Sequence, residues 1–126
     1  MKILYIEDNQ QMAFLVCSLL KGHGYEVEHF ALGKPGLEGF LQAVPSWDAV
    51  IMDLDLPDVA GQNLIPEIAA QRPSLPIVVY SGAPGLKDRF ELYASGASTV
   101  LSKPTAGQDL LDVLKGLIEL PVAPIQ

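Results

Sequence analysis

"AVIMDLDLP", residues 49–57, is an unbroken apolar run that ends abruptly in carboxylates. A short run with apolar residues at consecutive positions predicts a strand that is covered by helices on both faces. The run Lys2–Ile6 has the same character and is followed directly by Glu7 and Asp8. Two buried strands that each end in acidic residues indicate a parallel sheet with polar chemistry at one edge.

Three further apolar runs alternate with amphipathic stretches along the rest of the chain. The five predicted strands are Lys2–Ile6, Tyr25–Phe30, Ala49–Met52, Pro76–Tyr80 and Thr99–Leu101. Each is followed by a stretch with helical spacing of apolar residues and by a short connection. Five such units predict an α/β fold with a doubly wound parallel sheet and helices on both faces.

Two of the predicted helices carry apolar faces that we expect to be buried. The first has apolar residues at helical spacing, namely Met12, Leu15, Val16, Leu19 and Leu20. The fourth has Leu86, Phe90, Tyr93 and Ala94. We expect Phe90 and Tyr93 to face the core rather than a partner, with a surface position as the alternative for Tyr93. The last helix is predicted to open on a capping box formed by Thr105 and Gln108.

Length and charge restrict the class of protein. The chain has 126 residues, which predicts one domain, here residues 1–119, with residues 120–126 as a tail or the start of a linker. The formal net charge is −7, so we expect no direct binding to nucleic acid or to an anionic membrane. Cys17 is the only cysteine, which excludes an intramolecular disulfide. Since no signal peptide or membrane span is evident, we expect a cytoplasmic protein.

The ends of the predicted strands bring the chemistry together. Glu7 and Asp8 follow the first strand, Asp53 the third, Ser81 the fourth and Lys103 the fifth. Carboxylates at close range repel one another and therefore need protons or a cation. A site of hard oxygen ligands favours Mg²⁺ over Zn²⁺. Lys103 supplies a positive charge that can bind an incoming anion. Together, these residues suit phosphoryl transfer to a carboxylate nucleophile.

These residues resemble the receiver domain of bacterial two-component response regulators over essentially the whole chain. The matching motifs are Glu7-Asp8, Asp53-Leu-Asp-Leu-Pro57 with Gly61, Ser81-Gly82, and Gly96-Ala97 leading to Lys103-Pro104. Each motif alone is weak evidence, whereas all four in order at strand ends form a specific signal. The resemblance implies a flavodoxin-like sheet with strand order 2-1-3-4-5.

The same resemblance implies a phosphoacceptor and a Mg²⁺ site. Asp53 would accept the phosphoryl group and, with Asp8, bind Mg²⁺ directly. Glu7 would contribute mainly through a coordinated water, and the backbone carbonyl of Asp55 would complete the protein ligands. Lys103 would pair with the phosphoryl oxygens, and its bond to Pro104 is expected to be cis.

A switch is also implied by the resemblance. The Ser81 hydroxyl would move to the phosphoryl group, and partners would read the change around strand five, where Val100 and Pro104 lie. The expected phosphodonor is a histidine kinase or a His-phosphotransfer protein, and the output is a downstream protein or an output domain. A homodimer could form through helix four, strand five and helix five. The domain would catalyse its own phosphorylation and dephosphorylation without turning over external substrates.

Two departures from the family pattern concern the output surface and the metal loop. Val100 stands where many receivers carry Tyr or Phe, so the usual aromatic readout is not available. Asp55 adds a carboxylate where apolar or amide side chains are frequent. His23, His29 and Asp58 are interpreted as surface or packing residues, and Trp47 as a packing residue at the start of strand three.

Three other functions are compatible with parts of the sequence. Asp53-Leu54-Asp55 also resembles the nucleophile motif of haloacid-dehalogenase-type phosphatases, but their second acidic pair would follow the lysine. A flavin-binding electron carrier would need a phosphate cradle where Glu7 and Asp8 lie. A pseudo-receiver that is never phosphorylated would be an interaction domain only. We retain it as the first alternative and the phosphatase as the second.

Overall fold

The computed structural model describes residues 1–82, 85–103 and 107–119, with the side chains of Leu86 and Lys87 excepted. The helices are α1 Gln10–Gly22, α2 Gly33–Gln42, α3 Leu64–Gln71, α4 Leu86–Ser95 and α5 Gly107–Ile118. The strands are β1 Lys2–Ile6, β2 Glu26–Phe30, β3 Ala49–Met52, β4 Ile77–Gly82 and β5 Thr99–Lys103. The expectations for Pro104, for a capping box at Thr105 and for the tail 120–126 fall outside the described residues.

All five strands are parallel and are arranged in the order β2-β1-β3-β4-β5. This confirms the predicted α/β architecture and its flavodoxin-like strand order. The strand that the sequence predicted to end at Leu101 continues to Lys103, and it pairs with β4 over five residues. Because all strands run the same way, their carboxyl ends lie at one edge of the sheet.

The sheet separates two hydrophobic clusters, because successive side chains of a strand point to opposite faces. Leu4 and Ile6 join one cluster, which contains buried residues of α2, α3 and α4. Ile3 and Tyr5 join the other cluster, which contains buried residues of α1 and α5. β1, β3 and most of β4 are almost fully buried, which explains why their sequences are continuously apolar.

The buried faces of α1 and α4 differ from the sequence prediction. In α1, Leu15 is exposed, and the buried residues are Ala13, Val16 and Leu20. In α4, Phe90 and Tyr93 are exposed at 69% and 46%, whereas Leu92 is buried. The prediction of a core position was therefore wrong for Phe90, and Tyr93 takes the alternative position at the surface. α4 places Leu92 in the core cluster with Ala97 and Val100, which leaves Phe90 on the exposed side of the helix.

Trp47 was correctly predicted to be a packing residue. Its side chain is buried at the start of β3, and its indole N–H donates to the carbonyl of Phe40 at 3.2 Å. Within the parts of the chain that are described, no helix is both long enough and apolar enough to cross a membrane.

Candidate functional site

Four polar side chains converge at the carboxyl edge of the sheet, namely Glu7, Asp53, Ser81 and Lys103. The backbone N–H of Asp53 donates to the carbonyl of Ile6 at 3.0 Å, so β1 and β3 end side by side. Ser81 lies in β4 opposite Ser102 of β5, which precedes Lys103. Strand pairing thus fixes the relative position of all four residues before any side-chain contact is made.

Asp53 is a buried carboxylate with donors on both of its oxygens. The Ser81 hydroxyl donates to Oδ1 at 2.7 Å, and the backbone N–H of Asp55 reaches the same atom at 3.3 Å. The Lys103 ammonium lies 3.3 Å from Oδ2. Burial opposes ionisation, but hydrogen bonds from Ser81 and Glu7 and the charge of Lys103 outweigh it, so the pKa of Asp53 lies below its ordinary value. Asp53 is therefore held as an anion, the form that a nucleophile requires.

Lys103 lies between two carboxylates and an aromatic ring. Its ammonium lies 2.5 Å from Oε1 of Glu7, closer than to Asp53, and 5.5 Å from the centre of the Tyr80 ring. Burial alone would lower the pKa of Lys103, but the hydrogen bond and charge of Glu7 and the charge of Asp53 raise it. Lys103 thus keeps a fixed positive charge beside the Asp53 carboxylate.

Glu7 is the most deeply buried acid of the site, at 1% exposure. Burial raises the pKa of Glu7 to about 7, even though Lys103 donates to it. Asp53 adds to this shift, because two neighbouring carboxylates resist carrying a charge at the same time. Of the two buried acids, Glu7 is therefore the one that holds a proton most readily in the absence of a cation.

A divalent cation fits this group of oxygens. Glu7, Asp8 and Asp53 each present a carboxylate oxygen, and these three atoms lie within 4.8 Å of one another. Asp8 is exposed, so the site is open to solvent on its side. Hard oxygen ligands with room for water suit Mg²⁺, which commonly keeps several waters and binds one or two carboxylates. No histidine or cysteine belongs to this cluster, which disfavours Zn²⁺.

The loop after β3, residues 53–61, is held by backbone hydrogen bonds between its two ends, which fix the backbone at Asp55. Asp55 pairs with Ala60 in an isolated antiparallel bridge, and the N–H of Gly61 donates to the carbonyl of Leu54 at 2.8 Å. A Cβ at Gly61 would overlap with the backbone carbonyl of Asp53. Glycine is required at this position because the two backbones touch. This accounts for the glycine that the sequence places eight residues after Asp53.

Two residues that the sequence interpretation left without a role contact the site or its loop. The ring nitrogen Nε2 of His29 donates to the backbone carbonyl of Glu7 at 2.7 Å. Asp58 accepts the N–H groups of Gly33 and Lys34 at 2.9 and 2.8 Å, and so caps α2 from the loop after β3. The register of β1 with β2, which places His29 opposite Tyr5, is the signal that could have indicated the first contact.

Of the described residues assigned to the switch, Ser81 lies in the site and Val100 lies beside it. Ser81 contacts Asp53 directly, whereas Val100 is buried in the core between α4 and the sheet. The N–H of Val100 donates to the Tyr93 hydroxyl at 3.3 Å, so α4 contacts β5 at this residue. Position 100 therefore belongs to the interface of α4 with the sheet.

The fold and this group of residues define a class of protein, and sequence comparison names it. The profile of the response regulator receiver domain matches residues 3–115. The chain therefore belongs to the response regulator receiver domain family, a family of signalling domains. The resemblance inferred from the four motifs is confirmed.

Individual relatives agree with this assignment. The chain is 29% identical over 104 residues to the cell cycle transcriptional regulator CtrA of Caulobacter vibrioides, covering 82% of this chain and 44% of that protein. It therefore spans less than half the length of this curated relative. A receiver domain structure from Clostridium thermocellum has a TM-score of 0.87 at 29% identity, with 94% of both chains covered.

A third similar structure is described with ligands. It is a response regulator protein from Burkholderia pseudomallei with a phosphorylated aspartic acid, a calcium ion and citrate. It shares 25% identity with this chain at a TM-score of 0.80, with 90% of this chain and 65% of that chain covered.

Proposed function

We propose that this chain accepts a phosphoryl group on Asp53 in the presence of Mg²⁺ and changes its protein contacts as a result. The observation that carries the proposal is the Asp53 carboxylate, which is buried between the Ser81 hydroxyl and the Lys103 ammonium beside Glu7 and Asp8. The phosphorylated aspartic acid in the similar Burkholderia pseudomallei structure supports this proposal.

The site residues would divide the work of phosphoryl transfer among them. An oxygen of Asp53 forms the bond to phosphorus while the bond from phosphorus to the donor nitrogen breaks. The donor imidazole carries a proton on its other ring nitrogen, keeps the electron pair of the broken bond and leaves as neutral imidazole. Lys103 pairs with one phosphoryl oxygen. The Ser81 hydroxyl can turn away from Asp53 and donate to a second phosphoryl oxygen. Asp8, Asp53 and the carbonyl of Asp55 would hold Mg²⁺ directly and Glu7 through a water, and the ion would supply positive charge against the phosphoryl oxygens.

The partners follow from this chemistry. The donor would be a histidine kinase or a His-phosphotransfer protein, and the receiver of the signal a downstream protein or an output domain. We propose residues 1–119 as the receiver domain, a cytoplasmic location, and no turnover of external substrates. The chain carries a formal charge of −7, which supports contact with proteins rather than direct contact with nucleic acid.

The test is phosphoryl uptake by the whole chain, with Asp53→Asn as the matched control. Asparagine keeps the size of the side chain but removes the nucleophilic carboxylate. With a small phosphodonor and Mg²⁺, we expect the mass of the native chain to rise by one phosphoryl group and that of the variant to stay unchanged. Equal uptake by both proteins would place the phosphoryl group elsewhere.

A second experiment separates the receiver from the pseudo-receiver. Beryllofluoride mimics a phosphoryl group on a carboxylate, and it should shift the amide resonances of Ser81 and Gly82 only when Asp53 and Mg²⁺ are present. A folded protein whose spectrum does not change would favour an interaction domain that is never phosphorylated.

A further inference from the structure

α4 is connected to β5 by polar side chains that come from one side of the helix. Arg89 donates through Nη1 to the carbonyl of Val100 at 3.2 Å and through Nη2 to the Ser102 hydroxyl at 2.5 Å. The N–H of Val100 donates to the hydroxyl of Tyr93 at 3.3 Å. Arg89 and Tyr93 are four residues apart and therefore neighbours on the helix surface. Together they bond both backbone groups of Val100.

These contacts end next to the acidic site. Ser102, which Arg89 holds, directly precedes Lys103 and pairs with Ser81 in the sheet. Both Lys103 and Ser81 contact the Asp53 carboxylate. Asp53 is thus connected to α4 by direct contacts, which run through the adjacent residues Lys103 and Ser102 of β5.

α4 depends on these contacts because little else of it is buried. Among its described side chains, Leu92 is the buried one, and Phe90 lies exposed between Arg89 and Tyr93. The buried Val100 has no aromatic ring that could carry a rearrangement outward. The polar contacts of α4 with β5 therefore give the site a direct connection to the exposed face around Phe90.

We infer that Arg89 and Tyr93 are positioning residues, which couple the state of Asp53 to the exposed face of α4. This inference rests on the proposed function. When a phosphoryl group draws Ser81 and Lys103 toward it, β5 shifts at Ser102, and α4 follows through Arg89 and Tyr93. Arg89 and Tyr93 would thus transmit the change that an aromatic side chain at position 100 would otherwise transmit.

The test compares two sets of amide resonances in the whole chain when beryllofluoride and Mg²⁺ are added. One set reports the site, Ser81 and Gly82, and the other reports α4, residues 90–95. The variants are Tyr93→Phe, which removes one hydroxyl, and Arg89→Gln combined with Tyr93→Phe. The matched controls are Tyr25→Phe and Arg72→Gln, since Tyr25 bonds Glu119 and Arg72 bonds the carbonyls of Val44 and Trp47.

We expect the site resonances to shift in every one of these proteins. The shifts of α4 should fall by about half in Tyr93→Phe and by more in the double variant, while both controls behave as the native chain does. Because coupling between two sites is reciprocal, the double variant should also change its beryllofluoride affinity, by roughly fivefold. A purely structural role for Arg89 and Tyr93 would leave the ratio of the two sets of shifts unchanged.

The outcomes distinguish this inference from the proposed function. If the site resonances shift and the α4 shifts are equal in the native chain and the double variant, the coupling is refuted and the phosphoacceptor stands. If the site resonances of the native chain do not shift, the phosphoacceptor is refuted, and the coupling with it. Tyr93→Phe alone decides the matter if the double variant does not fold, because it removes a single hydroxyl group.

Discussion

α2 and α4 are both ten residues long and cover the same face of the sheet, but they are attached to it in different ways. α2 buries Phe40 completely and brings Gly36 so close to β1 that a Cβ there would lie 2.6 Å from the Ile6 side chain. α4 buries Leu92 and leaves Phe90 exposed at 69%.

The difference indicates which helix is able to move. A helix whose apolar side chains interdigitate with the core cannot shift without losing many contacts at once, because the core is closely packed. Hydrogen bonds on a partly exposed surface can be exchanged for bonds to water at a small net cost. α2 is therefore expected to stay fixed on the sheet while α4 changes position, although both border the carboxyl edge.

The largest predicted effect contrasts the two phenylalanines of these helices. Phe40→Ala should lower the free energy of unfolding by about 3–5 kcal/mol, because it opens a cavity in the core. Phe90→Ala should change it by less than about 0.5 kcal/mol, because the side chain is already in water. Urea denaturation of both variants measures this difference. Similar losses for the two would show that α4 is packed as firmly as α2.

A second prediction concerns the close approach of α2 to β1. Gly36→Ala should destabilise the protein by about 1–2 kcal/mol, since overpacking against Ile6 exceeds the helix-propensity gain of alanine. The control is Gly116→Ala in α5, where a Cβ would meet nothing within 4 Å. This control should stabilise the protein by about 0.5–1 kcal/mol. Stabilisation by both substitutions would mean that α2 can move away from the sheet without loss.

The smallest predicted effect is a pH-dependent contribution of Asp58 to stability, at the start of α2. The N–H groups of Lys34 and Gly33 hold the pKa of Asp58 below its ordinary 3.8, so the folded state favours the ionised carboxylate. Its contribution to stability is present above pH 3.8 and is lost as the pH falls through the lowered pKa of the folded protein.

The test of this effect is the pH dependence of unfolding for Asp58→Asn. The variant should be less stable than the native chain at neutral pH, and the gap should close in strong acid. Glu38→Gln, an exposed charge on the same helix, serves as the control. A gap for Asp58→Asn that is independent of pH would exclude a role for its charge in capping α2.

The sequence predicted the strands and the meeting of the site residues well, for a physical reason. Buried parallel strands must be apolar at nearly every position, so β1, β3 and β4 stand out as runs. Polar residues directly after such runs have to meet at one edge. Glu7, Asp53, Ser81 and Lys103 were placed together by this argument alone. What they do chemically stays a prediction until phosphoryl uptake is measured.

The side-chain surroundings of the helices were harder to predict. In α4, residues 86, 90, 93 and 94 match helical spacing better than Leu92 does, yet Leu92 is the residue that packs in the core. Periodicity reports the spacing of apolar residues but not how much of a helix the sheet covers. Asp58 was missed as a cap of α2, because its two partners lie about 25 residues earlier in the chain.

The polar contacts between α4 and β5 also bear on self-association. β2 and β5 are the two outer strands of the sheet, and an outer strand with free backbone groups can recruit an extended segment of another molecule. β2 carries the exposed charges of Glu26 and Glu28, whereas Arg89 and Tyr93 occupy the backbone of β5 at Val100. Loosening α4 would uncover that part of β5, so the motion proposed for α4 would also expose an edge strand able to pair with another molecule.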